Sequence, residues 1–400
     1  MTTRTIVELH LLQTVPPSNL NRDDTGTPKS AVYGGVRRAR VSSQAWKRAT
    51  RRTFQDILDP KDLGVRSRRL AELLGKRIRG LDKALSEADA WALAAETITA
   101  ATGAKMEPPK RNAKADKEDQ REPAPEAKYL IFLSARQLDA LAELAIEGRD
   151  DIKTFFKNKE NKAAAKQHAN SRHSIDIALF GRMVADDSDI NVDAAAQVAH
   201  AISVHRADVE SDYYTAVDDH KEREEDDNGA GMIGTVEFNS ATLYRYAALD
   251  VDLLAKNLGK GLREDESADE PVRRAVEAFI RGFTESLPTG KINTFGHHTL
   301  PDAVVVKVRA TRPINFVGAF ERPCKADQDT GGHVREASER LAKQIPAIET
   351  AFGAGDDTLT WVTRAGDDTE ALAALGTELP LQALVSAVGV EVERRQNGSA

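Results

Sequence analysis

Residues 33–54 read YGGVRRARVSSQAWKRATRRTF, with seven Arg or Lys and no Asp or Glu. Guanidinium and ammonium groups without local carboxylates suit a polyanion: Arg offers a planar fork for phosphate, Lys a point charge. A cationic helix face is usually only solvated. Here, however, the arginines straddle a Gly-Gly pair and a helix start, where backbone N–H groups also favour phosphate. Tyr33 and Trp46 add aromatic faces on which bases can stack.

Other chemistry is thinly represented. The pairs Asp23-Asp24 and Asp218-Asp219 have the residue types to hold Mg²⁺ or to act as acid and base. The plainer reading is a capping turn for the first and a solvated strand end for the second. His297 and His298 are adjacent, His200 and His205 are five apart, and Cys324 is the single cysteine, so no zinc spacing occurs. Walker A, G-x-G-x-x-G and G-x-S-x-G are absent. No catalytic residue, metal or cofactor is expected.

The charge is unevenly placed. The 400-residue chain has a formal net charge of -7, yet residues 1–55 hold ten Lys and Arg against three acids. An electrostatic footprint is local, so an acidic total does not exclude nucleic acid. The lone cysteine fits a reducing cytosol. The opening MTTRTIVELHLLQTV reads as neither a signal peptide nor a membrane helix, and no membrane partner is expected.

The elements that position these residues follow from periodicity. Residues 4–14 alternate as a strand, and PPSNLNRDDTGTPKS is a loop. Ser42 or Ser43 caps a helix QAWKRATRRTF, with Ala45, Ala49, Trp46 and Phe54 inward. Lys47 and Arg51 share one face of it, Arg48 and Arg52 another. Residues 60–103 read as helical, 104–128 as a polar disordered loop, 129–148 as a strand or turn and then a helix, and 153–172 as a basic helix. SIDIALFGRM (174–183) reads as a strand and glycine turn, VDAAAQVAHAISVH (192–205) as an amphipathic helix. DYYTAVDD and MIGTVEF flank an acidic tip as a β-hairpin. Tyr213 and Tyr214, adjacent on a strand, must face opposite ways. A strand and helix follow from 242 to 259, then a helix from 271, a strand at 303–311, a helix at 334–351 and a last helix or strand near 381–393. The spacing suits a ferredoxin-like or RRM-like α+β core with insertions.

Several long motifs then agree in order: NLNRDD (19–24), YGGxRRxRVSSQxxKRA (33–49), DIALFGRM (176–183), AxQVAHAISVH (195–205), DYYTAVDD (212–219) and GTVEFNSATLYRY (234–246). The chain resembles the CasC family, the backbone subunit of type I-E CRISPR Cascade, densely over its first 250 residues and loosely beyond, through TFGHH and VVVKV. The resemblance implies an RRM-like palm (1–58, 173–205 and 239–400), a helical fingers insertion (59–172) and a β-hairpin thumb (206–238). It implies copies stacked along CRISPR RNA, displacing bases at regular intervals so that the rest pair with target DNA, alongside other Cascade subunits. Arg22, Arg37, Arg38, Arg40, Ser42, Gln44, Lys47, Arg48 and Arg51 are the implied RNA-backbone residues. Met183 resembles a wedge beside the displaced base, and Tyr213, Tyr214 and Thr215 resemble thumb residues at the kink. Lys153, Lys157 and Lys159 are the implied guides for target DNA. The acidic thumb tip, with Glu224, Glu225, Asp226 and Asp227, is expected to meet a basic patch of a neighbouring copy. The rival readings are a metal-dependent ribonuclease using Asp23, Asp24 or Asp218, and an RRM-like RNA-binding module acting as a monomer.

Overall fold

The computed structural model describes residues 4–109, 123–184, 188–217, 230–259, 270–327, 329 and 331–398. Outside these lie Asp218, Asp219, the four acidic tip residues and residues 110–122 of the polar stretch. The chain divides into two compact units. The first comprises Met1–Thr53, Gln197–Asp250 and Val276–Ala400; the second comprises Phe54–Ala196 and Val251–Ala275. The architecture is mixed α+β around a large, mostly antiparallel sheet.

The sheet of the first unit grows from the strand Ile6–Ser18. Its apolar residues leave almost no exposed position from Ile6 to Gln13, so it must lie mid-sheet with both faces covered. It pairs antiparallel with Ala303–Arg309 on one side, Leu9 opposite Val306. On the other side it pairs with Ala230–Asp250, Leu9 opposite Ala247. Burial on both faces also encloses Glu8 and His10. The Glu8 carboxylate accepts from Arg309 Nε at 2.7 Å, and Arg309 Nη2 reaches Glu349 at 2.8 Å, so the buried charges are matched. Beyond Ala230–Asp250 the sheet continues through Ala201–Ser203 and Val36–Val41 to the edge strand Ser30–Tyr33.

Ala230–Asp250 is 21 residues long, more than the sheet can pair. Its first part leaves the sheet and pairs with Glu210–Val217 from Glu210 opposite Phe238 to Val217 opposite Ala230, with a register shift at Ala216/Val217. The expected hairpin is therefore an extension of a core strand.

The second unit packs Leu70–Leu81, Glu87–Thr102, Ala135–Glu147 and Lys159–Ala169 around Leu74, Ile78, Leu93, Ile98, Leu138 and Leu141. Its helix starts carry their own signals. Ser86 caps Asp89 N, and Ser134 with Gln137 forms a capping box. The strand Gly64–Ser67, where the sequence suggested helix, pairs beside them with Ile131–Ser134, where it suggested a strand or turn.

Two expectations reverse. Residues 175–180 form a helix, because Ile175–Leu179 are buried on every side and a short apolar run does not declare its period. Residues 192–205 contain the strands Ala196–Val198 and Ala201–Ser203 and no helix. There, pairing of Ile202 with Tyr244 and Arg40 outweighs the helix propensity of the alanines.

Each unit holds a neutral buried imidazole. Burial pushes His173 and His205 down to about 4, with Arg182 adding to the first and His333 and Arg38 to the second. The unfolded chain, at an ordinary value of about 6.5, takes up those protons first. The stability contribution is full above about pH 6.5 and is lost as pH falls towards 4. From pH 7.5 to pH 5 each site should cost roughly 2 kcal/mol. A urea midpoint that falls over this range, and falls less in His205→Gln, is expected; a flat profile contradicts it.

Candidate nucleic acid interface

The basic segment begins as a hairpin. Ser30–Tyr33 and Val36–Val41 pair with Tyr33 opposite Val36, so Gly34 and Gly35 form a two-residue turn. Both have positive φ, 60° and 81°, as a type I′ turn requires. Gly34 is needed twice over, since a Cβ there would lie 1.6 Å from the carbonyl oxygen of Glu321.

Arg38 fixes this hairpin and is itself unavailable to RNA. It is 0% exposed. Its guanidinium donates to the carbonyls of Tyr33 (3.1 Å), Ser203 (3.0 Å), Phe320 (2.8 Å) and Glu321 (3.1 Å). A buried cation with neutral acceptors keeps its charge close to the surface without cancelling it. Trp46 takes the inward of its two expected places and not the stacking one. It is 0% exposed, and its ring covers the Arg245 guanidinium at 3.8 Å, so it offers no face to a base. Tyr33 is half-buried, with its hydroxyl donating to Val317 O at 3.4 Å.

Around this anchor the remaining cations come together. Arg37 and Arg22 are exposed and have no side-chain partner among the described residues. The loop bearing Arg22 is tied to the hairpin by Lys29 N to Asn21 O (2.8 Å) and to the helix start by Ser42 N to Asn21 Oδ1 (2.9 Å). Asp23 closes that loop, its Oδ1 accepting from Thr25 N (3.0 Å) and Thr27 N (3.0 Å). The Thr25 hydroxyl and these amides hold its carboxyl low. That is the turn role expected of the pair.

The helix Ser43–Ile57 starts at the hairpin's end. Ser42 is buried, its Oγ accepting from Ala45 N at 3.3 Å, so it caps the helix. Gln44, Arg48 and Arg52 are exposed; Lys47 and Arg51 are half-buried. Burial lowers the Lys47 pKa, and Lys47 and Arg48 have no side-chain partner among the described residues. Sequence reasoning missed His200, whose Nδ1 faces two donors, Ser43 N and Arg40 Nη1, both at 3.3 Å. Nδ1 is thus the acceptor. Burial, Arg40 and Lys29 lower its pKa. The signal was its place in AHAISVH, obscured by the helix reading.

The hairpin carries Tyr213 (62% exposed), Tyr214 (45%) and Thr215, also exposed. Tyr214 stands opposite Gly234, and a Cβ at Gly234 would meet its ring at 2.4 Å. Tyr214 therefore lies across the ladder, and Tyr213 projects from the other face.

In the second unit, Gly181-Arg182-Met183 is a display device. Gly181 has φ 76°, and a Cβ there would lie 2.7 Å from Val192 O. Arg182 turns inward, donating to Ile190 O (2.8 and 2.6 Å) and towards Asn170 Oδ1 (3.3 Å). Burial lowers its pKa to about 10. Met183 is left 85% exposed. Lys153, Lys157 and Lys159 are exposed; Lys153 approaches Glu96 at 3.7 Å. Among the described residues no group of three His, Cys, Asp or Glu converges as metal ligands, and no helix is long and apolar enough to cross a membrane.

The family described as CT1975-like protein matches residues 7–387. A chain of a CRISPR RNA-guided surveillance complex, pre-nicking, is similar with a TM-score of 0.79 at 34% identity, over 97% of this chain and 100% of that one. A chain of another CRISPR RNA-guided surveillance complex is similar with a TM-score of 0.69 at 29% identity, over 96% of this chain and 99% of that one. No curated protein matches.

Gly34→Ala should cost about 2 kcal/mol or more, from strained φ and the collision with Glu321 O. Arg38→Met should cost about 3 kcal/mol by leaving buried carbonyls unmatched. Arg37→Ala should be neutral within about 0.5 kcal/mol. Chemical denaturation of the three variants checks the ordering; equal losses for Arg37 and Arg38 would contradict these roles.

Proposed function

The chain belongs to the CT1975-like protein family, and from that premise we propose that it is a CRISPR RNA-binding backbone subunit of a Cascade surveillance complex of type I-E. Copies assemble along the guide, each gripping sugar and phosphate, and displace one base at regular intervals. The remaining bases stay free to pair with target DNA. The protein acts as a scaffold in the cytoplasm and cuts nothing itself; its partners are CRISPR RNA, target DNA, neighbouring copies and other Cascade subunits.

In this reading the sheet-bearing segments (1–58, 173–205 and 239–400) make the RRM-like palm, 59–172 the fingers and 206–238 the thumb. Arg22, Arg37, Arg40, Lys47, Arg48 and Arg51, with Gln44, meet the RNA backbone. Arg38 and Ser42 shape that surface from beneath. Met183 wedges against the displaced base, while Tyr213, Tyr214 and Thr215 intrude at the kink. Lys153, Lys157 and Lys159 guide the target duplex, and the acidic thumb tip meets a basic patch of the next copy.

One observation carries the reading: Arg22, Arg37, Lys47 and Arg48, on the loop, hairpin and first helix, have no carboxylate partner among the described residues. Base pairing supplies the sequence specificity, so the protein needs only backbone contacts. Neutralising phosphate releases counterions, which makes affinity fall steeply with salt.

Native mass spectrometry with and without guide RNA tests it. Multimers whose copy number rises with guide length are expected, and a monomer bound at every length would overturn the scaffold. Replacing Arg37 and Arg48 by Ala should weaken binding about equally on guides of unrelated sequence. A loss confined to one sequence would count against backbone recognition.

A further inference from the structure

The segment Thr289–Thr299 lies against the loop that carries Arg22, and its side chains are not among the RNA contacts above. Gly290 packs so closely that a Cβ would lie 2.4 Å from the carbonyl oxygen of Leu20 and 2.5 Å from that of Asn19. Three further contacts pin the segment. His297 Nε2 donates to Pro288 O at 3.1 Å, and Gln13 Nε2 donates to Thr299 O at 2.9 Å. The ring of Phe295 meets that of Phe238, at the base of the hairpin, at 5.8 Å. Asn19 joins the same place, donating to Glu237 O at 2.9 Å.

Lys291 follows Gly290 directly. It is the segment's one Lys or Arg, and its φ is 49°, in the left-handed region. That conformation costs a non-glycine residue on the order of 1 kcal/mol. The residue is half-buried, and its ammonium has no hydrogen bond or ion pair among the described residues. The segment thus carries a cation next to the glycine that packs on the Arg22 loop, four residues before the phenylalanine that meets the base of the hairpin.

We propose that Lys291 is a further contact to the RNA backbone. The inference rests on the RNA-binding reading and adds a second cationic segment, 254 residues away in sequence, to the one around Arg37. An ammonium point charge at a phosphate selects for charge and not for base.

The test is guide binding by the full-length protein across a salt series, comparing wild type with Lys291→Gly and Lys291→Ala. The glycine variant removes the cation while suiting the left-handed backbone, so it keeps the fold; thermal melting confirms this. Lys343→Ala, an exposed lysine on the helix Val334–Phe352, is the reference. Losing one phosphate contact should reduce the slope of log K against log salt by about 0.7 per protomer for single-stranded RNA. The reduction should be the same on guides of unrelated sequence. A steep wild-type slope left unchanged in Lys291→Gly overturns the inference and leaves the main grip standing. A wild-type protein that binds no guide takes down both readings.

Discussion

The surface depends on how Arg38 is satisfied. Four backbone carbonyls receive its guanidinium, and among the described residues no carboxylate does. A buried arginine needs its donors met, because an unmatched buried charge is costly. Carbonyl dipoles meet that need without adding a formal negative charge. The hairpin is therefore locked to Ser203 and to Phe320–Glu321 while its net charge stays positive. An Asp in place of those carbonyls would hold the hairpin equally well and would blunt the field on which phosphate binding relies.

The same solution recurs. Arg245 is covered by the faces of Trp46 and Phe283, and donates to Gln13 Oε1 and to Phe283 O. Burial lowers its pKa to about 9. In the second unit Arg182 is held by carbonyl and amide oxygens, which leaves Met183 displayed beside it. Carboxylates are used elsewhere, as in the buried Glu8–Arg309–Glu349 group, where the task is to join strand to helix. The molecule separates arginines that shape a surface from arginines that cement a core.

Much of this was legible in the residues. The strands at Ile6 and Ala303 and the helix at Val334 announced themselves through apolar content and period. The absence of acids from 33–54 marked the candidate surface. What the sequence concealed is physical in origin. In VRRARV, adjacent arginines face opposite sides of a strand, and only tertiary packing against Phe320 decides that Arg38 goes inside. Tyr-Gly-Gly-Val between two β-rich stretches is a hairpin signal, masked by the cations that crowd both sides of it. The alanines of 192–205 favoured a helix by propensity, but pairing between Ala230–Asp250 and Val36–Val41 claimed Ala201–Ser203 as an interior strand. Lys291 carries no local signal at all; it acquires its neighbours only when Gly290 folds against Leu20.

The central claim is that the sugar–phosphate chain lies on the unpaired cations beside the Gly-Gly hairpin, with its bases turned away. A cryo-EM map of the protein assembled on its guide measures this directly. The account predicts phosphates within about 3 Å of Arg37 and Arg48, with most base edges open to solvent. Phosphates running over another face, or bases buried against the hairpin, would contradict it.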